Sequence, residues 1–313
     1  MLAFMTTTTS VVGTTTLQFP SADQFINDAA HIAFLNQNQS TWIAGKNPFF
    51  DGMTYEQTRH LFGTDLLGFA GLESEIVGDE MYSHIKDSDL PASFDSRTQW
   101  AGLIAPIRDQ QQCGSCWAFS AAEVLTDRNN IKSKQAMPVL SAEDLVSCDK
   151  TNMGCNGGRL PAAWKYLQNT GLVSDTCFPY TAGSGTAPTC ATTCADGAAF
   201  TKTKSASSYA ISGATNMQKE IMTNGPIQVA FKVYKSFMSY KSGVYKKKPY
   251  ELLPEGGHAV KIVGWGTESG ADYWLVANSW NTNWGDEGFF KISRGDDQCG
   301  METMGPPYAG TVA

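Results

Sequence analysis

The hydrophobic pattern changes its period once along this 313-residue chain, and that change constrains the fold most strongly. Between residue 91 and Gly225-Pro226, three runs have helical spacing: 116–132, 141–148 and 161–170. Four strand-like runs follow it: 227–233, 258–265, 273–277 and 289–292. The pattern therefore predicts an α+β fold, with a helical part over about 110–215, an antiparallel β part over about 216–300, and a cleft between them.

Residues 110–120 place a cysteine where it would be activated as a nucleophile. Cys116 follows a Gly114-Ser115 turn and opens a helical run, so its thiol is expected at a helix N-terminus. Free N–H groups and the helix dipole favour a thiolate there. Gln110 carries an amide donor that can fold back beside the sulfur and hold a tetrahedral oxyanion. The stretch predicts a nucleophile with an anion hole.

His258 and Asn278 supply the remaining chemistry of such a site. His258 is one of four histidines and lies in Gly256-Gly257-His258-Ala259, where the glycines permit another chain to approach closely. Alone, a histidine or an asparagine at such positions is more often structural. Asn278 can accept a hydrogen bond from the imidazole and fix its tautomer, and Trp280 can shield that bond from water. Together with Cys116 they match the triad arrangement for acyl transfer.

The chain has eight cysteines, and seven of them lie between Cys113 and Cys194. This density predicts a disulfide framework and an oxidising compartment. Zinc is the competing interpretation, because Cys113-x-x-Cys116 and Cys190-x-x-x-Cys194 have ligand-like spacing, but a structural zinc site needs four matched ligands and the histidines are scattered. A thioredoxin-like site is disfavoured because no βαβ pattern precedes it. We expect no metal and no cofactor.

Composition excludes two classes of partner. A net charge of −7 does not provide the basic surface that nucleic acid or an anionic membrane would require. No apolar run approaches the ~20 residues of a membrane span. Residues 1–20 are Thr-rich, and no Lys or Arg precedes Lys46, so we expect an atypical leader or a disordered N-terminus.

The region after residue 20 predicts two helices and a linker. One helix is expected from Ser21, and a shorter one from the Thr54–Gln57 capping box to a stop at Gly63. The segment between residues 21 and 63 is too small to bury its own aromatic residues, so we expect it to pack on another part of the chain. These aromatic residues are Trp42, Phe49, Phe50 and Tyr55. Residues 64–90, with alternating glycines and acidic residues, predict a linker.

Taken together, these motifs resemble the papain-like cysteine proteases. The resemblance covers residues 91–313 and is carried by Gln110, Gly114–Phe119, Gly154–Gly158, Gly257–Ala259 and Asn278–Trp280. It implies a papain-like peptidase domain at 86–313, with a helical left subdomain and an antiparallel β-barrel right subdomain around the active-site cleft. The catalytic residues that it implies are Cys116, His258, Asn278 and Gln110.

Within that family the chain is similar to the cathepsin B branch. Thr41–Gly45 and Tyr55–Gly63 resemble the short propeptide of that branch, an inhibitor laid through the cleft. The resemblance implies a latent zymogen with an inhibitory propeptide over 21–85 and a cut near residues 80–91. It also implies peptide and protein substrates, cystatin-like inhibitors, and a lysosome, equivalent acidic vesicle or secretion as the location. Asn38 opens a glycosylation sequon.

The resemblance also proposes partners for the cysteines. The implied disulfides are Cys113–Cys155, Cys148–Cys190 and Cys177–Cys194. Cys116 remains as the reactive thiol, and Cys299 is expected to be a buried free thiol.

The chain departs from the branch at two places. Residues 178–186 are short and lack the paired histidines with which the branch blocks the primed side of the cleft, so we expect an endopeptidase with little dipeptidyl carboxypeptidase activity. Met304 stands where the branch often has an acidic residue, so the S2 pocket should prefer an apolar P2 side chain. The implied substrate-binding residues are Gly157, Gly158, Pro161, Ala230, Gly257, Ala259, Trp280 and Met304.

Two alternatives share these motifs. One is a catalytically silent homologue that uses the cleft only for binding or inhibition. The other is an acyltransferase with the same Cys–His chemistry, which the propeptide-like segment and Asn278 disfavour.

Overall fold

A computed structural model describes residues 20–66, 75–304 and 306–312. The helices are α1 (Ala29–Gln37), α2 (Tyr55–Thr58), α3 (Ser96–Gln99), α4 (Cys116–Ser133), α5 (Ala142–Cys148), α6 (Leu160–Asn169), α7 (Ala214–Asn224) and α8 (Lys235–Met238). The strands are β1 (Trp42–Ala44), β2 (Glu75–Val77), β3 (Phe94–Asp95), β4 (Tyr209–Ile211), β5 (Ile227–Val233), β6 (Tyr240–Tyr245), β7 (Gly256–Glu268), β8 (Ala271–Ala277), β9 (Phe289–Ser293) and β10 (Tyr308–Ala309). Six short 3-10 helices are Pro48–Phe50, Arg59–Leu61, Asp87–Asp89, Gly154–Asn156, Ala182–Ser184 and Gln298–Gly300. These elements form the expected α+β arrangement.

The three helices of the helical half begin and end within one residue of their predicted bounds. Local signals account for this agreement. Ser141 accepts a hydrogen bond from the N–H of Asp144 and so caps α5, and Pro161 lies in the first turn of α6. The last turn of α4 ends at Lys134, which has a left-handed φ of 57°. The predictions contained no helix at 214–224, where α7 forms.

The strands of the β half join others from elsewhere in the described chain in a ten-stranded sheet with the order β1-β6-β9-β8-β7-β5-β10-β4-β2, and β3 pairs with β7 beside this path. The central pairs β5–β7, β7–β8 and β8–β9 are antiparallel, as the alternating pattern predicts. Two pairs toward the margins, β6–β9 and β2–β4, are parallel. Aromatic side chains fill the core against this sheet, among them Phe231, Phe237, Tyr240, Trp280, Trp284 and Phe290.

Buried polar groups join the two halves beneath the cleft. Lys261 on β7 places its Nζ 2.8 Å from a carboxylate oxygen of Asp127 and 3.4 Å from one of Glu123, both on α4. Gln228 on β5 donates to the carbonyl oxygen of Trp117 at 2.9 Å. These contacts fix the start of α4 relative to β5 and β7.

The N-terminal segment packs on the β half. The sequence predicts such packing, because residues 21–63 are too few to bury their own aromatic side chains. Trp42 and Phe50 are buried; their ring centroids lie 5.1 Å from Tyr245 and 5.4 Å from Trp280, respectively. The predicted helix start at Ser21 is wrong, because α1 begins only at Ala29. Asp28 caps it at the N–H of His31, while the chain before it forms turns and a bridge between Phe25 and Thr54.

The linker prediction is wrong for the described parts of 64–90. Residues 75–77 form β2, and the following stretch bonds to α7. Tyr82 donates to Glu220 at 2.9 Å, Asn216 donates to Asp79 at 2.8 Å, and Lys219 pairs with Asp87. The sequence of this stretch resembles a linker because it is polar and glycine-rich. The partners of its polar residues lie more than 100 positions away, so no local pattern shows that they are bonded. Residues 67–74, and the predicted leader at 1–19, lie outside the described residues.

Both ends of the sheet order are strands from the N-terminal segment, β1 beside β6 and β2 beside β4. The segment before residue 90 therefore covers two edges that the rest of the sheet would leave open. Within the described ranges, no helix is both long and apolar enough to cross a membrane.

Candidate active site

Cys116 is the first residue of α4, and its thiol is fully buried. The sulfur lies 3.2 Å from Oγ1 of Thr64, and backbone N–H groups of Gly63 and Ala259 are directed at it. Burial raises the pKa of the Cys116 thiol, and the hydrogen bonds from Thr64 and the backbone oppose that rise. Burial therefore favours the neutral thiol in this closed arrangement, and the thiolate stays a prediction for the open cleft.

His258 on β7 and Asn278, which directly follows β8, are joined by a hydrogen bond. Nε2 of His258 lies 2.7 Å from Oδ1 of Asn278, which also accepts the N–H of Ser279 at 2.8 Å. A backbone N–H only donates, so the atom it meets is the amide oxygen, and Nε2 must carry the hydrogen. Nδ1 of His258 then holds a lone pair, and it has no hydrogen-bond partner among the described residues.

Aromatic rings enclose the His258 imidazole. It stacks on Trp280 with ring centroids 4.8 Å apart, and the edge of Phe231 meets it at 5.9 Å. Burial lowers its pKa to about 4, and the hydrogen bond to Asn278 opposes this change. Near neutral pH both the imidazole and the Cys116 thiol are therefore neutral in the closed site.

The Gln110 amide bonds to the N-terminal segment and to the loop before α4. Its Nε2 donates to the carbonyl oxygen of Leu61 at 3.0 Å and to that of Cys113 at 2.9 Å. Ser279 Oγ donates to Gln110 Oε1 at 2.8 Å and so fixes which end of the amide faces the cleft. The Leu61 carbonyl oxygen thus accepts a hydrogen bond from the amide that the sequence predicts as an oxyanion donor.

The N-terminal segment crosses the cleft as an extended strand. The N–H of Thr64 donates to the carbonyl oxygen of Gly257 at 3.0 Å, and the N–H of Asp65 donates to that of Gly158, also at 3.0 Å. Gly158 in turn donates to the carbonyl oxygen of Gly63 at 2.8 Å. The segment is thereby bonded to both halves and covers the Cys116 thiol.

The proposed S2 residues are only partly brought together. Ala230 and Ala259 are cross-strand partners on β5 and β7, and Leu66 of the N-terminal segment packs against the cluster that contains them. Pro161 is buried at the start of α6. Met304 bonds back to Gly300 in a turn, and no contact recorded for the described residues joins it to this cluster. Its place in a substrate pocket stays a prediction.

The structure contains the three disulfides that the resemblance implies. They are Cys113–Cys155, Cys148–Cys190 and Cys177–Cys194. Cys116 and Cys299 are free and buried. No group of three or more His, Cys, Asp or Glu side chains within 20–66, 75–304 and 306–312 could hold a metal ion.

Sequence reasoning did not single out four residues that shape this site: Leu61, Thr64, Ser279 and Tyr180. Ser279 follows Asn278 directly, so its position offered a signal. Leu61 and Thr64 lie within two positions of Gly63, which the sequence indicates only as a helix stop. Tyr180 lies within the short 178–186 stretch, which drew attention only for its lack of histidine.

Comparison with known proteins identifies the family to which this arrangement belongs. Residues 90–306 match the family model described as papain family cysteine protease. The chain belongs to this family. It is 40% identical over 290 residues to cathepsin B-like CP2 of Giardia intestinalis, covering 91% of this chain and 93% of that protein. It is also 48% identical over 240 residues to a gut-specific cysteine proteinase of Caenorhabditis elegans, covering 69% and 72% of the two chains.

A solved structure supports the same family assignment over nearly the whole chain. The fold is similar to proCathepsin B S9 from Trypanosoma congolense, with a TM-score of 0.83 and 32% identity over 93% of this chain and all of that one. The protein is thus a papain-like cysteine peptidase with cathepsin B-like relatives, and its fold class is papain-like α+β.

Proposed function

We propose that this protein is a cysteine endopeptidase made as a latent zymogen, with residues 21–85 as its inhibitory propeptide and 86–313 as the peptidase domain. The observation that carries the proposal is the occupation of the cleft by residues 61–66. These residues bond to the proposed oxyanion donor and to the proposed nucleophile. The carbonyl oxygen of Leu61 accepts a hydrogen bond from the Gln110 amide, and the hydroxyl of Thr64 contacts the Cys116 thiol. Removal of the segment would free both groups at once.

Once the cleft is open, water returns to Cys116 and His258, and the charged forms become favourable. Nδ1 of His258, which lacks a hydrogen, takes the thiol proton to give a thiolate–imidazolium pair. The thiolate attacks the scissile carbonyl, while the Gln110 amide and the Cys116 N–H hold the oxyanion. His258 then gives its proton to the leaving amine, and water hydrolyses the acyl-enzyme.

Specificity follows from the cleft and its rim. Leu66 packs against the cluster containing Ala230 and Ala259, which supports an apolar P2 preference. We expect faster cleavage of a substrate with Phe at P2 and Arg at P1 than of one with Arg at both positions. Preference for the Arg-Arg substrate contradicts the assignment of Met304 to this pocket.

Residues 178–189, which lie beside the loop that carries Gln110, support endopeptidase action. Residues 178–189 contain no histidine, and Gly183 packs onto the Gln112 backbone through a 2.9 Å hydrogen bond. We expect internal cleavage of a test peptide without stepwise release of C-terminal dipeptides. Release of dipeptides from a free carboxyl end, and none from an amidated peptide, would contradict it.

The direct test of the activity is Cys116→Ala in the processed chain. The variant should fold with an unchanged circular dichroism spectrum and lose peptidase activity, while the wild-type chain is labelled at Cys116 by a peptidyl epoxide. A wild-type chain that reacts with the epoxide but hydrolyses no peptide would favour the silent homologue instead. Acyl transfer to an added amine without hydrolysis would favour the acyltransferase.

The three disulfides support maturation in an oxidising compartment. Release into an acidic vesicle such as a lysosome, or secretion, fits this chemistry. The partners are then peptide and protein substrates, the chain's own propeptide, and cystatin-like inhibitors that would enter the opened cleft.

A further inference from the structure

Tyr180 lies against the two chain segments that carry the proposed oxyanion donors. Its hydroxyl oxygen is 2.9 Å from the carbonyl oxygen of Gln110 and 2.9 Å from Oγ of Ser115. Gln110 carries the side-chain donor. Ser115 precedes Cys116, whose N–H is the backbone donor. One phenol therefore bonds to both segments of the oxyanion hole.

The direction of these two hydrogen bonds follows from the atoms. A carbonyl oxygen only accepts, so the Tyr180 hydroxyl donates to Gln110. The Tyr180 oxygen is then an acceptor, and the Ser115 hydroxyl donates to it. Burial raises the pKa of Tyr180 above its ordinary value, so the phenol keeps its proton across the working pH range. The result is a directed chain from Ser115 through Tyr180 to Gln110.

The surroundings hold Tyr180 in place. Its ring meets Phe119 of α4 edge to face, with centroids 4.7 Å apart. The next two residues of its loop are anchored by the buried carboxylate of Glu143, which accepts the N–H groups of Thr181 and Ala182 at 2.5 and 2.9 Å. The hydroxyl is thus fixed relative to α4 by packing and relative to α5 by charge-assisted hydrogen bonds.

We propose that Tyr180 is a positioning residue for the oxyanion hole, and that its hydroxyl sets the spacing between the Gln110 amide and the Cys116 N–H. The inference rests on the proposed peptidase function. Among the described residues, Tyr180 bonds to neither Cys116 nor His258, so it acts only through Gln110 and Ser115. Since an oxyanion develops only in the transition state, loss of this spacing lowers kcat and leaves KM nearly unchanged.

The test is Tyr180→Phe in the processed enzyme, because phenylalanine keeps the ring that packs on Phe119. We expect kcat to fall about tenfold, with KM changed less than about twofold. Alkylation of Cys116 by iodoacetamide forms no oxyanion, so its rate and pH profile should match the wild type. A peptide aldehyde, which forms a tetrahedral adduct, should bind about tenfold more weakly.

Tyr166→Phe is the matched control. It removes the same atom from a half-buried tyrosine on α6, whose hydroxyl bonds to Asp144 at 2.9 Å. Its kcat should stay within about twofold of the wild type, since it bonds to no segment of the oxyanion hole.

A double-mutant cycle shows whether Tyr180 acts through Gln110. In the Gln110→Ala background the amide donor is already absent, so Tyr180→Phe should lower kcat by only about twofold more. A full tenfold loss in that background overturns the proposal, as does an unchanged kcat or a parallel loss of alkylation rate. If Tyr180→Phe does not fold, Ser115→Ala removes the other hydrogen bond and must show the same split between kcat and alkylation. A wild-type chain that alkylates normally but hydrolyses nothing refutes the proposed function, while the aldehyde comparison still tests Tyr180.

Discussion

Gly63 determines how closely the N-terminal segment approaches the nucleophile. A Cβ added at this position would lie 1.9 Å from the carbonyl oxygen of Gly114 and 2.8 Å from its Cα. Both are backbone atoms, just before the helix that carries Cys116, and cannot move aside without disturbing the site. The sequence offered only a helix stop at Gly63; the reason for glycine is this contact between two chain segments.

Gly63→Ala should therefore weaken latency in the unprocessed chain. Overpacking of about 1–3 kcal/mol corresponds to roughly a 5- to 150-fold increase in the open fraction, which should raise the rate of Cys116 labelling by a peptidyl epoxide equally. Gly78→Ala is the control, because its added Cβ would meet nothing within 4 Å. Equal labelling rates for the two variants would show that Gly63 tolerates a side chain.

His258 makes closure depend on pH. Its pKa is lowered to about 4 when the cleft is closed, so the closed form keeps His258 neutral. In an open Cys116→Ala chain, where no thiolate pairs with it, His258 binds a proton near its ordinary pKa of about 6.5. Closure is fully favourable above that value, and it weakens as the pH falls from about 6.5 toward 4. The raised pKa of Cys116 acts in the opposite direction at alkaline pH, where deprotonation favours opening.

Hydrogen exchange at residues 61–66 of the Cys116→Ala chain measures this dependence. After correction for intrinsic rates, exchange should accelerate between pH 6.5 and 4.5, by at most about tenfold per pH unit. The His258→Gln variant should lose that acceleration, because its side chain does not titrate. An acceleration that persists in this variant would assign the acid response to other groups.

At the scale of single elements, helices α4, α5 and α6 were predictable because their signals are local. A Ser cap, a proline in the first turn and a helical run of apolar residues act within a few residues of each helix end. The start of α1 was not predictable in this way. Both Ser21 and Asp28 can cap a helix, and the choice of Asp28 depends on a bridge between Phe25 and Thr54 that lies outside the helix.

Asn47 attaches the N-terminal segment to the β half beside β6. Its buried amide donates to the carbonyl oxygens of Met238 and Tyr240 at 2.8 and 3.0 Å, and it accepts the N–H of Gly285 at 2.9 Å. Its fully buried position means that no water replaces these bonds when the side chain is shortened.

Asn47→Ala should weaken docking of the segment by about 1–3 kcal/mol, because three backbone groups lose their partner. In the Cys116→Ala chain, an added protease should cut residues 20–66 faster in proportion. The exposed Gln37→Ala is the control and should leave the rate unchanged. Loss of protection in both variants would point to general instability of the segment rather than to this anchor.

At the scale of the whole molecule, the pairing of the two halves depends on a buried cation. Lys261 is 1% exposed and pairs with Asp127 and Glu123, which are likewise buried. Lys261→Met would leave two carboxylates without their partner, at a cost of about 3–5 kcal/mol.

The urea midpoint of the processed enzyme at pH 7 measures that cost. Lys246→Met is the control, because Lys246 and Asp296 form an exposed pair whose loss should cost less than about 1 kcal/mol. The deficit of Lys261→Met should shrink on acidification, since burial already raises the pKa of both carboxylates and they can take up protons. A deficit that is independent of pH would mean that packing, not charge, holds this position.

The sequence by itself determined the chemistry of this protein and its fold class. Cys116, His258, Asn278 and Gln110 are predicted as catalytic residues because a nucleophile, a base, its orienting amide and an oxyanion donor each require a particular residue type in a local pattern. The change of hydrophobic period separated a helical half from a strand-rich half. Both signals lie within short stretches of the sequence, so they can be recognised without knowing which residues lie across the cleft.

Only the tertiary structure decided the charge state and the closure of the site. The helix N-terminus and the hydrogen bond from Thr64 favour a thiolate at Cys116, but burial beneath the N-terminal segment outweighs them. The carbonyl of Leu61, the hydroxyl of Ser279 and the hydroxyl of Tyr180 reach Gln110 from 49, 169 and 70 positions away. Solvent exclusion and contacts over such separations depend on how the whole chain packs, so no local pattern contains them.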